Sequence, residues 1–138
     1  MLRGLTTVTF VAEDLAAARD WYAEVLGVEP YFARSVEDRP AYIEFRVGDY
    51  QHELGLIDAR FVPGGRSAEP RGEIAYWHVD DVHAAFRRLV ELGATVHAEP
   101  VERGPGFVTA SVTDPFGNVL GVMYNQHYLD VLADRTGR

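Results

Sequence analysis

The stretch DLAAARDWYAEVLG, residues 14–27, and its echo DVHAAFRRLVELG, residues 81–93, decide the fold of this 138-residue chain. In each, an aspartate stands before an amphipathic run and a glycine closes it. The carboxylate of Asp14 or Asp81 can accept from the amide hydrogens of the first helical turn, which have no partner inside the helix. Gly27 or Gly93 can take the left-handed conformation that ends the last turn. Leu15, Ala18, Tyr22 and Leu26 recur at helical spacing, giving the first helix one apolar stripe. A Thr-, Val- and Phe-rich run from Leu5 to Val11 leads into the first helix, and Ala75 to Asp80 leads into the second, so each helix follows a strand.

The two aspartates stand about 67 positions apart, and a second landmark repeats at about the same offset: Leu54-Gly55-Leu56 returns as Leu120-Gly121-Val122. Between these landmarks lie short β-rich runs. They are Pro30 to Ala33, Ala41 to Val47 and Tyr50 to Ile57 in the first half, and Thr95 to Val101, Phe107 to Thr113 and Val119 to Asn125 in the second. Gly48-Asp49 and Asp114-Pro-Phe-Gly-Asn118 separate the last two runs of each half with residues suited to tight reversals. The reading is an α+β fold of two βαβββ modules whose strands form a curved, cup-like mixed sheet with the helices packed outside. One domain spans 1–138, with module one at about 5–57, a linker over 58–72 that holds Pro63-Gly64-Gly65 and Pro70, module two at about 73–125, and a tail over 126–138. Within the tail, Gln126 to Ala133 is expected to form a short helix and Asp134 to Arg138 to fray.

With 47% apolar and 12% aromatic residues the chain can furnish a core. Its net charge of −8 argues against nucleic acid as a partner, since counterion displacement needs clustered Lys and Arg. The absence of cysteine excludes a disulfide framework, thiolate metal ligands and a Cys nucleophile. No apolar run approaches the roughly 20 residues that span a bilayer. A cytoplasmic location without membrane partners is therefore expected.

Three segments carry a family resemblance. Thr6 to Tyr22 with Val25-Leu-Gly27-Val resembles the opening strand and helix of a vicinal-oxygen-chelate module, the superfamily of glyoxalases, bleomycin resistance proteins and extradiol dioxygenases. Asp80-Asp81-Val82 with Leu92-Gly93-Ala94, followed by Asp114-Pro-Phe-Gly-Asn118, resembles the second module. An Asp-capped helix between strands also occurs in ferredoxin-like domains, and it is the order of the motifs over residues 5 to 125 that discriminates. In metal-dependent members the first strand of each module carries a His or Gln ligand and the last strand a Glu, which together hold one divalent ion. Carried over to this chain, those positions fall at Thr7, Ile74, Gly55 and Gly121. The resemblance thus implies a chain without the usual metal site, and no cofactor is expected unless a non-standard site exists. A one-residue slip, which would recruit Thr6 or Val8 and Glu73 or Ala75, does not restore the set.

Strand alternation then nominates the pocket. If Ile74 faces inward, so do Tyr76 and His78; if Gly55 does, so do Gln51 and Glu53. His78 and Glu53 are the candidate general base and acid, although a histidine on a mixed strand can equally be a hydrogen-bonded structural group. Thr7, Thr9, Glu44, Gln51, Tyr76, Phe107, Phe116 and Tyr124 are the candidate ligand-lining residues. The glycines at 55 and 121 read as room for a ligand, Glu102 to Phe107 as a flexible lip, and His127 as a residue able to fold over the opening or to remain plain surface.

Two functions follow from different classes. One is a metal-independent small-molecule binder like the bleomycin-resistance proteins, holding an aromatic or cationic ligand through stacking and carboxylates. The other is an enzyme, a glyoxalase-like lyase or isomerase or a dioxygenase relative, using His78 and Glu53 with a relocated metal or by metal-free acid/base catalysis. A homodimer is expected in either case, because modules of this kind pair within or across chains and strand edges invite pairing.

Overall fold

The structure, a computed structural model, describes residues 1, 3, 5–62 and 74–137. The described residues fall into two compact units: one holds those of Met1–Pro70 with Phe116–Asn118, the other those of Arg71–Pro115 with Val119–Arg138.

In the first unit, strand β1 (Thr7–Ala12) precedes helix α1 (Leu15–Leu26), and strands β2 (Phe32–Val36), β3 (Arg39–Val47) and β4 (His52–Asp58) follow. The caps are those read from the sequence. Asp14 accepts from the Ala17 amide at 3.0 Å, and Gly27 sits at φ 70° with its N–H on the Ala23 carbonyl. Leu15, Ala18 and Tyr22 of the expected stripe are buried, and Leu26 is half-buried. They pack with Phe10 and Ala12 of β1, Ala41, Ile43 and Phe45 of β3, and Leu54 and Leu56 of β4 as the unit's apolar core. Burial of each large member stabilises the unit by about 1.5–3 kcal/mol relative to exposure. The sheet order is β1-β4-β3-β2, with β1 parallel to β4 and the remaining pairs antiparallel.

Several strand boundaries differ from the sequence reading by one to three residues. Strand β2 starts later than Pro30 and runs into a two-residue turn in which Glu37 and Asp38 both adopt positive φ, the geometry that matches the twist of a hairpin. Strand β4 begins at His52, so Gln51 lies in the preceding turn at φ 53° and loses the strand parity assigned to it. Asp58, placed in the linker by sequence, completes β4 and caps a short 3-10 turn over Ala59–Phe61. The rest of the expected linker, 63–72 with its Pro63-Gly64-Gly65 and Pro70, lies outside the described residues, as does Glu73.

The second unit repeats the plan. Strand β5 (Ala75–His78), helix α2 (Val82–Glu91) and strands β6 (Thr95–Gly104), β7 (Phe107–Thr113) and β8 (Val119–Asn125) form a sheet of order β5-β8-β7-β6, again with its first and last strands parallel. Asp81 accepts from the Ala84 amide at 3.0 Å, and Gly93 follows the helix at φ 107°. The fold is therefore α+β, two βαβββ modules whose eight strands are divided between two open mixed sheets. The expected lip is strand up to Gly104, with only Pro105 and Gly106 turning the β6–β7 hairpin. The tail helix α3 (Gln126–Arg135) takes in Asp134 and Arg135, which the sequence reading left frayed; the Thr136 amide and hydroxyl close it on the Leu132 carbonyl. Among the described residues no helix is long and apolar enough to cross a membrane.

Candidate functional site

Because alternate residues of a strand face opposite ways, the first sheet's second face carries what the α1 side does not. In register across it stand Thr7 beside Glu53, Thr9 beside Gly55, Glu44 beside Gly55 and Arg46 beside Glu53. Thr7 Oγ1 donates to Glu53 Oε2 at 2.9 Å. The Tyr42 hydroxyl donates to Glu44 Oε1 at 2.6 Å, and the Tyr31 hydroxyl donates to the other oxygen of the same carboxylate. Tyr31 also lies 3.4 Å from Glu53 Oε1, so two carboxylates, two phenols and one alcohol form a single polar network. The Arg46 guanidinium sits 4.3 Å from the centre of the Tyr31 ring, and Phe32 leans on Tyr42 at 6.4 Å.

Burial of the Tyr42 phenol, helped by its bond to the Glu44 carboxylate, pushes its pKa far above the usual phenol range. The bond to Glu44 is the main reason that Tyr31 is raised as well. Both phenols accordingly stay protonated donors. Tyr31 and Phe32 are 45% and 46% exposed, whereas Tyr42, Glu44 and Glu53 are half-buried.

Gly55 has a different role from the one its sequence position suggests. A Cβ built there would collide with the Tyr42 hydroxyl, because the Tyr42 ring lies over the glycine. In the second unit the same arrangement recurs: a Cβ at Gly121 would stand 2.5 Å from Cδ1 of Tyr76. The reading of these glycines as free space for a ligand is corrected on that point, since each gap is filled by a tyrosine of the chain itself.

Tyr76 and His78 share one side of β5, as alternation requires. His78 is nine-tenths buried, with 8% of its side chain exposed. Its Nδ1 accepts from the Asn125 amide at 3.3 Å, and its ring stacks on Tyr128 of α3 and leans on Tyr124. Tyr124, whose hydroxyl donates to Gln126 at 3.0 Å, thus reaches His78 from β8. On the same sheet, His97 Nδ1 and the buried Ser111 hydroxyl are hydrogen-bonded at 2.8 Å, and Arg103 donates to Thr109 at 3.2 Å.

The remaining candidates divide. Thr7, Glu44 and Glu53 are joined in the first unit's network, and Thr9 is exposed on the same strand beside Gly55. Gln51 spends its amide on the Gly48 carbonyl at 2.8 Å in a turn. Phe107 opens β7 opposite Asn125, and Phe116 sits edge-on to Trp21 of α1 at 6.3 Å. Glu53 bonds to Thr7 and lies by Tyr31 in the first unit, and His78 bonds to the Asn125 amide and stacks on Tyr128 in the second. Sequence reading missed Tyr31, Tyr42, Arg46 and Tyr128. Alternation along β3 places Tyr42 and Arg46 on the side of Glu44 and was enough to find them; Tyr31 precedes its strand and gave no such signal. His127, considered as a cover, is exposed and spends its amide on the Asn125 side chain, and its neighbour Tyr128 makes the contact instead. Among the described residues no group of three or more His, Asp or Glu side chains is arranged to hold a metal ion.

The family model described as the glyoxalase/bleomycin resistance protein/dioxygenase superfamily matches residues 4–122. Among solved structures, a glyoxalase-related enzyme from Fulvimarina pelagi is similar at 21% identity, with 91% of this chain and 90% of that one covered and a TM-score of 0.70. A superfamily member from Sphaerobacter thermophilus gives 21% identity, 88% and 97% coverage and a TM-score of 0.69. A lactoylglutathione lyase from Agrobacterium tumefaciens gives 20% identity, 93% and 98% coverage and 0.66. At these identities the likeness establishes the shared fold. No curated protein matches the sequence.

Proposed function

The chain belongs to the glyoxalase, bleomycin resistance protein and dioxygenase superfamily, and from that premise we propose that it is a small-molecule-binding protein of the sequestering kind, which takes an aromatic or cationic ligand without the superfamily's metal. The observation that carries this reading is the network of Tyr31, Tyr42, Glu44 and Glu53 on the sheet face opposite α1. Aromatic faces attract cations, and two neighbouring carboxylates supply the charge that fixes one. The Arg46 guanidinium over Tyr31 is an internal example of the same contact. The four expected ligand positions support the metal-free part: Thr7 is bonded to Glu53, Ile74 is apolar, and Gly55 and Gly121 lie under tyrosine rings. Such a donor set does not fit a divalent ion.

Calorimetric titration with benzamidine, a planar ring bearing a delocalised cation, tests the proposal. Saturable binding is expected, and Glu44→Gln should weaken it by about tenfold, the size of one partly exposed charge contact. If no aromatic cation in a broader panel raises the melting temperature, the proposal fails.

A second reading, an enzyme acting on a carbonyl compound, is favoured by one observation: buried His78 Nε2 has no hydrogen-bond partner and could serve a substrate. Turnover of α-ketoaldehydes or their thiol adducts that falls in His78→Ala would establish it, and elemental analysis of protein purified without added metal would separate a relocated metal from acid/base chemistry. Pairing of two copies through the exposed edge strands β2 and β6 belongs to either reading and is tested by sedimentation.

A further inference from the structure

His78 poses a problem that the cation-binding face of the first unit leaves untouched. Since Nδ1 accepts from the Asn125 amide, the proton of the neutral ring is on Nε2. That N–H is buried and unpartnered. The nearest carboxylate oxygen, on the 96% exposed Asp80, is 3.7 Å away and too far for a hydrogen bond. Buried donors are rarely left without an acceptor, and such an orphan marks either strain or an absent partner.

The flat side of the same ring is already occupied. Tyr128 lies on it with ring centres 4.5 Å apart and planes 7° from parallel, and Tyr124 leans in at 5.4 Å. Yet α3, which delivers Tyr128, buries none of its residues completely. Its start is held by the Asn125 cap on His127 and by the Gln126 amide on the Gly106 carbonyl at 3.1 Å. A terminal helix with no fully buried side chain is one of the elements that open most readily.

We infer that Tyr128 is an internal occupant of an aromatic slot on His78, and that a neutral aromatic compound with a hydrogen-bond acceptor on a short saturated arm takes its place. Ring geometry sets the ligand class. The Nε2–H bond lies in the imidazole plane, whereas a stacked ligand lies a ring thickness above it. An acceptor conjugated with the ligand ring would stay in the upper plane. A carbonyl on a methylene arm can bend down to the level of the N–H. Asp80, whose carboxylate lies at that edge, disfavours an anionic acceptor, so the acceptor itself is a neutral carbonyl. This slot is built from residues of the second unit and takes a different ligand from the one proposed for the Glu44 network.

The test is a titration of the full chain with phenylacetamide, read by nitrogen shifts of the His78 ring and by the amides of α3. Saturable shifts in both are expected. Tyr128→Ala, which removes the competing ring, should bind at least about threefold tighter. Benzamide, whose carbonyl is held near its ring plane, should bind several times more weakly than phenylacetamide, and that preference should vanish in His78→Phe, which keeps the stacking face without the N–H. Every readout here is a residue of the second unit and none uses benzamidine, so the result stands apart from the fate of the benzamidine experiment. If a folded Tyr128→Ala, verified by unaltered β5–β8 amides, binds phenylacetamide no better than the parent, or if saturation moves neither His78 nor α3, the inference is overturned.

Discussion

A single methyl group tests the site at the scale of one residue. Placed on Gly55, it would press on the Tyr42 hydroxyl and also lie 2.9 Å from Cε1 and Cζ of that ring. Tyr42 must then leave its position and give up its bond to Glu44. Gly55→Ala should therefore destabilise the protein by about 1–3 kcal/mol, as overpacking does. Urea denaturation measures the loss, and the same variant should release the Tyr42 phenol toward its ordinary titration range, visible as tyrosinate absorbance at lower pH than in the parent. Were the raised phenol unaffected by the substitution, the perch of Tyr42 on Gly55 would not be what holds it by Glu44.

Helices and turns announced themselves in the sequence because their ends are written in local chemistry. Asp14, Gly27, Asp81 and Gly93 need only their own neighbours to act, and the structure has each of them at a helix end. Strand ends depend on partners far along the chain, which is why β2 and β6 run beyond their expected limits and β4 begins after Gln51. The polar network of the candidate site was legible to the same degree. Thr7, Glu44 and Glu53 follow from alternation, whereas the overlay of Gly55 by Tyr42 depends on a cross-strand diagonal that no periodicity reveals. Asp58 shows what a strand end can hold: it caps the following turn through the Arg60 amide and is paired with the Arg60 side chain at 3.1 Å.

Burial pushes the Asp58 carboxyl up, but the bonds from Arg60 and the charges of Arg60 and Arg39 outweigh it and hold the pKa below 3.8. A depressed carboxyl contributes stability above its unfolded value and loses that contribution as pH falls through the folded one. The urea midpoint of the parent should accordingly exceed that of Asp58→Asn near neutrality, with the gap closing below about pH 4. A gap that stays constant into acid would mean that the Asp58 charge contributes nothing.

For the molecule as a whole, the net charge of −8 bears on how fast a ligand arrives. An excess of like charge steers cations toward the surface and is screened once salt shortens the Debye length from about 30 Å at 0.01 M to about 8 Å at physiological strength. Association of benzamidine should slow across that range while its dissociation changes little, a comparison that stopped-flow fluorescence can make. Phenylacetamide, being neutral, should show no such dependence. Equal salt sensitivity for the two compounds would remove the electrostatic basis of the cation-binding reading.

Both modules solve a packing problem in the same way, a glycine on the last strand beneath a tyrosine from its neighbour. Neither position is free to drift by itself: bulk gained at 55 or 121 collides with a phenol ring, and a ring lost at 42 or 76 uncovers the glycine beneath it. Descendants of this chain should therefore exchange residues at 42 with 55, and at 76 with 121, as matched pairs, so that its evolutionary history moves in double steps at these places.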